Sequence, residues 1–309
     1  MERLLRSFRE SPPLRAAPSS ELVRRFAIRA GGKGGPREAV AEYVSHLRES
    51  VGTPLTSASI GQYLEVRNVK ERQAVSALPC DGYIEPRGSD FADGFRIVLK
   101  KGVPETRMCF TVAHEICHTF FYESVPEIKF SPHEVDEQEE ALCNYGAACL
   151  LMPAEEVISR AKNLPRGISS LVEIANTYGV SLDTAVLRLR SLKIWNCEFS
   201  AWRRMGAGEF AMNRFYGYQA EEWRWTDEEM LRTLWAADEG ATKAGRTVVE
   251  YDLPNAYPAA KPVFYQARRR GEVIIALWSS RPFPQPSLPL LSVSRKLRLK
   301  KRSPARLKE

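Results

Sequence analysis

Between residues 105 and 122 the chain has neither Gly nor Pro, and Met108, Cys109, Val112, Ile116 and Phe120 recur at helical spacing. Gly102 and Pro104 stand just before this run, and proline suits the first turn of a helix. The pattern predicts a helix with one buried stripe. Ahead of it, Arg37 to Ser50 repeats apolar residues at Val40, Tyr43, Val44 and Leu47, the period of a packing helix. Tyr63 to Val69, Gly82 to Glu85 and Gly94 to Leu99 read as strands separated by turns. A second helical run begins near His133. It is acidic through Glu134, Asp136, Glu137, Glu139 and Glu140, then apolar from Ala141 to Met152. Pro153 to Lys162 predicts a further helix.

From Leu171 to Arg190 the pattern is that of two helices about a turn. Ala175 and Gly179 lie four apart, Gly179 permits the turn, and Ser181 can cap the second helix. After Lys193 the character changes. Ile194 to Arg203, Glu209 to Tyr218, Arg246 to Leu253, Pro262 to Arg268 and Glu272 to Trp278 read as strands. Thr226 to Ala237 reads as a helix with Thr226 as its N-cap. The organisation expected is a basic disordered N-terminus over 1–36 and a mixed core over 37–192, including the helix-turn-helix-like segment 168–192. A smaller α+β domain over 193–281 and a basic disordered tail over 282–309 follow.

Charge refines this division. The net charge is +7, yet residues 295–309 hold eight Lys or Arg against one Glu, and residues 1–40 hold nine against four. The body between is therefore net acidic, and the basic character lies at the termini. Such tails bind nucleic acid or acidic surfaces without specificity, or act only as solubilising chain. No apolar run approaches the length of a membrane span. The first twenty residues are Arg-rich and lack an apolar h-region, which argues against a secretory signal. Six cysteines occur without a C-x-x-C pair, as expected of reduced, buried thiols in a cytoplasmic protein.

The chemistry is concentrated in His114-Glu115-Ile116-Cys117-His118, which holds two of only four histidines. Residues four apart on a helix share a face, so His114 and His118 can hold one metal ion. Glu115 can then serve as general base toward a water. A catalytic zinc site needs a third protein ligand. Spacing alone leaves His133 and the glutamates of the acidic run as candidates, most of them a solvated helix face.

Two stretches resemble a known family. Arg107-Met108-Cys109-Phe110-Thr111-Val112-Ala113-His114-Glu115 is similar to the R-x-x-F-T-x-A-H-E entry of the ImmA/IrrE metallopeptidases. Glu140-Ala141-Leu142-Cys143-Asn144 followed by Leu150-Leu151-Met152-Pro153 is similar to that family's second motif. The resemblance spans roughly residues 37–192. It implies an α+β, zincin-like core with His114, His118 and Glu140 as zinc ligands and Glu115 as the catalytic base. Asn144, one turn after Glu140, would orient a ligand. Gly146 and Cys149 stand where the family more often has larger or polar residues, a packing change.

Two imidazoles and a carboxylate suit zinc and also manganese. An additional oxyanion donor would come from His133, Tyr122 or Tyr145, with His133 the best by type. Phe95 to Leu99 is the candidate sheet edge for pairing with substrate. The resemblance further implies a cytoplasmic endopeptidase that cuts a helix-turn-helix repressor to relieve repression in a stress or mobile-element response. Two alternatives keep the metal structural. One is a DNA-binding regulator that places Thr184, Arg188 and Arg190 in a groove. The other is an antitoxin-like module that holds a partner uncut. The same helix pair belongs to the peptidase fold in the resembled family, so DNA contact is not expected.

Overall fold

The computed structural model describes residues 20–30, 34–88, 93–126, 136–195, 197–205, 209–216, 223–225, 228–236, 241–251 and 259–284. His133, Thr226 and most of both termini lie outside them.

The first described element, α1 (Glu21–Arg29), falls where the sequence predicts a disordered terminus. Its apolar positions explain the difference. Leu22, Val23 and Phe26 lie on one face and are buried, with the Phe26 ring 4.4 Å from that of Phe121. Burying such a phenylalanine contributes about 1.5–3 kcal/mol, enough to hold a short helix that would not form alone. α2 (Pro36–Val51) begins with Pro36 after the Gly35 cap, whose N–H donates to the Glu38 carboxylate at 2.9 Å, and ends on left-handed Gly52. The predicted strand at Tyr63 to Val69 is instead mostly α3 (Ile60–Val66). Ile60, Tyr63 and Leu64 are buried at spacings of three and four, which is helical.

The strand follows as β1 (Val69–Val75), where only Val69 is buried. Its Lys-Glu-Arg-Gln centre shows no alternation, so the pattern does not mark it. β2 (Gly82–Pro86) and β3 (Phe95–Lys100) complete a sheet of order β1-β3-β2. β1 pairs with β3 in parallel and β2 pairs with β3 antiparallel. β3 is therefore the central strand, with both edges already hydrogen-bonded. It cannot be the edge to which a substrate adds.

α4 (Glu105–Ser124) lies across this sheet. Every residue from Thr111 to Tyr122 is buried, not one stripe only, because the sheet covers one side and helices cover the others. α5 (Glu137–Leu151) packs beside it. Asp136 caps α5, accepting from the backbone N–H of Gln138 and Glu139 at 3.0 and 3.1 Å. The Ser20 hydroxyl donates to the same Asp136 carboxylate, and the Ser20 N–H donates to the Gln138 side chain at 3.0 Å. α1 thus fastens the start of α5. Its Arg29 guanidinium reaches the Ser124 carbonyl at the end of α4. Gly146 lets the two long helices close: a Cβ there would stand 2.6 Å from Cys117 Sγ and 2.8 Å from Val40.

α6 (Ala154–Asn163), α7 (Ile168–Thr177) and α8 (Leu182–Ser191) follow. Left-handed Gly179 turns α7 toward α8, with the Val180 N–H donating to the Ala175 carbonyl at 3.0 Å. The Ser181 hydroxyl accepts from the Thr184 N–H at 3.1 Å, the cap the sequence predicts.

The C-terminal region is β4 (Glu198–Met205), β5 (Glu209–Tyr216), β6 (Trp223–Trp225), α9 (Glu228–Ala236), β7 (Thr242–Tyr251), β8 (Ala259–Arg270) and β9 (Val273–Ser279). The six strands form one antiparallel sheet of order β5-β4-β9-β8-β7-β6. Short β6 carries no alternation long enough to read. Phe199, Ala201, Ile275 and Leu277 on one face join the hydrophobic core of the helical region. Trp202, Tyr265, Ile274 and Trp278 on the other face pack with Leu231 and Leu234 of α9. The Gln266 side chain also accepts from the Ile168 N–H at 2.9 Å, capping α7. The sheet and the helical region therefore share one core across that face.

Candidate metal centre

α4 and α5 bring three predicted ligands to one point. His114 Nε2 and His118 Nε2 are 3.1 Å apart. The two oxygens of Glu140 lie 3.3 Å from His114 Nε2 and 3.5 Å from His118 Nε2. A zinc ion with ligands at about 2.0–2.1 Å in a tetrahedron separates neighbouring donors by about 3.3 Å, so the observed spacings fit.

The tautomers support the same conclusion. His114 Nδ1 pairs with Asn144 Oδ1 at 3.0 Å, and His118 Nδ1 pairs with Glu139 Oε1 at 2.7 Å. Asn144 and Glu139 thus take the Nδ1 protons, leaving both Nε2 lone pairs facing each other and the Glu140 carboxylate. Converging lone pairs in a buried site need a cation between them. Without a metal, protons serve. Burial alone would lower His118, but the hydrogen-bonded Glu139 carboxylate raises it to about 10. Burial alone would raise Glu140, but the hydrogen bond and charge of His114, with the charge of His118, hold it at about 2.

Glu115 is the third carboxylate. Burial pushes its pKa up, outweighing the pull of His114 and His118. It is 6% exposed and makes no hydrogen bond among the described residues, although the two neighbouring carboxylates are both engaged.

Asn144 stands where the sequence places it. Glu139 was read only as one of several glutamates on an acidic run, yet it is buried and takes both His118 and the Tyr122 hydroxyl, the latter at 3.4 Å. A signal was present: Glu139 lies three and four residues before buried Leu142 and Cys143, on the inward face of α5. Cys143 also approaches His118 and Glu139, but burial pushes its thiol well above the usual range, and a protonated thiol is a poor ligand. Tyr122 is committed to Glu139. Tyr145 lies under the Arg37 guanidinium, 4.5 Å from its ring centre, and His133 lies outside the described residues.

The helix-turn-helix-like segment is packed. Arg188 is 4% exposed and donates to the Met152 carbonyl at 2.8 Å, and Thr184 is used in the cap of α8. A side chain so held is not presented to a DNA groove.

A mixed α+β core with an HExxH helix and a carboxylate-bearing partner helix defines a peptidase type of site. Over residues 81–190 the chain matches the Peptidase_M78 family, described as an IrrE N-terminal-like domain. Residues 81–190 therefore carry a domain of the ImmA/IrrE type, which implies peptidase activity. No curated protein matches the chain. A solved structure described as a Mycobacterium tuberculosis transcriptional regulator is similar at 13% identity and a TM-score of 0.48, covering 84% of this chain and 79% of that one. Among the described residues no helix is long and apolar enough to cross a membrane.

Proposed function

We propose that the protein is a zinc-dependent endopeptidase in which His114, His118 and Glu140 hold the metal and Glu115 is the general base. The observation that carries this is Glu115 itself, a buried carboxylate with no hydrogen-bond partner among the described residues, beside a ready donor set. A bound zinc ion would act as a Lewis acid, making water acidic and polarising a peptide carbonyl. Glu115 takes the proton of the attacking water and delivers it to the leaving amine. Asn144 and Glu139 keep the imidazoles turned inward.

Substrate adds to the sheet at β2 in place of β3. β2 pairs only with β3 among the described residues, so its outer edge is open. Gly82 rests on the Thr111 methyl, one turn before His114. The substrate class follows from the resemblance: a helix-turn-helix repressor, cut in the cytoplasm to relieve repression. Manganese suits the same ligands.

The test incubates the protein with helix-turn-helix proteins encoded beside its gene, with and without chelator. Chelator-sensitive cutting is expected, and Glu115→Gln abolishes it while metal remains bound. Full cleavage by Glu115→Gln would overturn the mechanism. Tight binding that leaves the partner intact with metal present would favour a holding module instead.

A further inference from the structure

The end of the second sheet where β4 and β8 finish and β9 begins carries a cluster of arginines that peptide hydrolysis does not use. Val273 is flanked by Arg203 on β4 and Arg270 on β8, and Ile275 is flanked by Ala201 and Arg268. Directly paired residues share a face, so Arg203, Arg268 and Arg270 stand together. Arg203 and Arg270 are two strand spacings apart, about 10 Å, and Arg268 is one two-residue repeat along β8, about 7 Å. Arg203 and Arg270 are exposed and Arg268 is half-buried. Burial and the neighbouring Arg270 charge both lower the Arg268 pKa.

The acidic residues at this end are Glu209 and Glu272, and neither forms an ion pair with the three arginines among the described residues. Elsewhere in the molecule exposed arginines do find carboxylates, as Arg24 and Arg232 do. On the opposite face Arg204 and Arg269 lie over the Trp235 ring at 5.6 and 5.3 Å.

Three guanidinium groups on one face, with no ion pair among the described residues, call for an anionic partner. The planar guanidinium fork matches phosphate oxygens. A protein partner would want an apolar centre in the patch, and among the described residues Met205 is its one large exposed apolar residue. A single strand would want an aromatic platform, and the described residues paired beside these arginines, Ala211, Thr242 and Val273, offer none. Contact with a duplex backbone needs neither. We propose that this end of the sheet docks the phosphate backbone of double-stranded nucleic acid through Arg203, Arg268 and Arg270.

The test measures binding of the full chain to a labelled DNA duplex by fluorescence anisotropy over a range of salt. The basic tail contributes equally to every variant. Arg203→Gln/Arg268→Gln/Arg270→Gln is expected to weaken binding and to reduce the slope of log affinity against log salt by about 2.7, at about 0.9 per phosphate. Glu272→Gln, which leaves the arginines and the fold in place, is expected to tighten binding. An unchanged slope in the triple variant, or unchanged affinity in Glu272→Gln, overturns the proposal. So does a polyglutamate peptide whose binding depends on the three arginines while duplex binding does not, since the surface would then take an acidic protein.

Discussion

Glu139→Ala should loosen the metal without touching a ligand. In the folded protein the Glu139 carboxylate accepts from His118 Nδ1 at 2.7 Å and from the Tyr122 hydroxyl at 3.4 Å, all within a buried cluster. Alanine removes both acceptors. The imidazole loses the contact that fixes its tautomer, and its Nδ1–H becomes a buried donor without a partner, at a cost of about 1–3 kcal/mol. Loss of such a supporting partner typically lowers metal affinity about 10- to 100-fold, or about 1.4–2.7 kcal/mol, and the two ranges agree. Glu139→Gln keeps an acceptor oxygen but not the charge, so its loss should be smaller. The assay is competition for zinc against a chromophoric chelator at fixed pH. If Glu139→Ala bound zinc within twofold of the wild type, the claim that this carboxylate orients His118 would be wrong.

Gly146→Ala places a methyl against Cys117 Sγ and Val40, so α4 and α5 must part slightly. Overpacking of about 1–3 kcal/mol is offset in part by about 1 kcal/mol of helix propensity. A modest fall in chemical-denaturation stability is expected, with weaker zinc binding in the same competition assay. Ser200→Ala removes the hydroxyl that accepts from both Trp202 Nε1 and Trp278 Nε1, at 2.8 and 2.7 Å. Two buried indole N–H groups then lack this partner, and a loss of about 2–4 kcal/mol is expected by denaturation. Unchanged stability would mean that the indoles find other acceptors.

How much of this was legible in the sequence depended on the kind of signal. His114, His118 and Asn144 were legible because helical spacing fixes which residues share a face, and α4 and α5 are regular helices. Glu140 was separable from its neighbours only through the family resemblance, since local spacing treats adjacent glutamates alike. Glu139 was hidden because an acidic run reads as solvent-facing. Its burial depends on α4 lying against that face, which is a tertiary fact. β1 was misplaced for the converse reason: its polar centre pairs with β3 through the backbone, and backbone hydrogen bonds leave no mark in hydropathy. The order β1-β3-β2 was equally invisible, which is why the candidate substrate edge fell on the wrong strand.

The residues ahead of the HExxH motif acquire a physical role if β2, unpaired on its outer side among the described residues, is the edge that takes substrate. Arg107 donates to the Asp81 carboxylate at the entry to β2. Thr111, one turn later, returns its hydroxyl to the Arg107 carbonyl at 3.0 Å and turns its methyl toward Gly82. A side chain at 82 would collide with that methyl at 2.7 Å and with Leu99. Asp81, Gly82, Arg107 and Thr111 therefore set the height of β2 over α4, with Thr111 one turn and Arg107 two turns before His114. A strand added to that edge inherits this height. The same short stretch of helix that presents the imidazoles thus also fixes where a substrate backbone would lie above them.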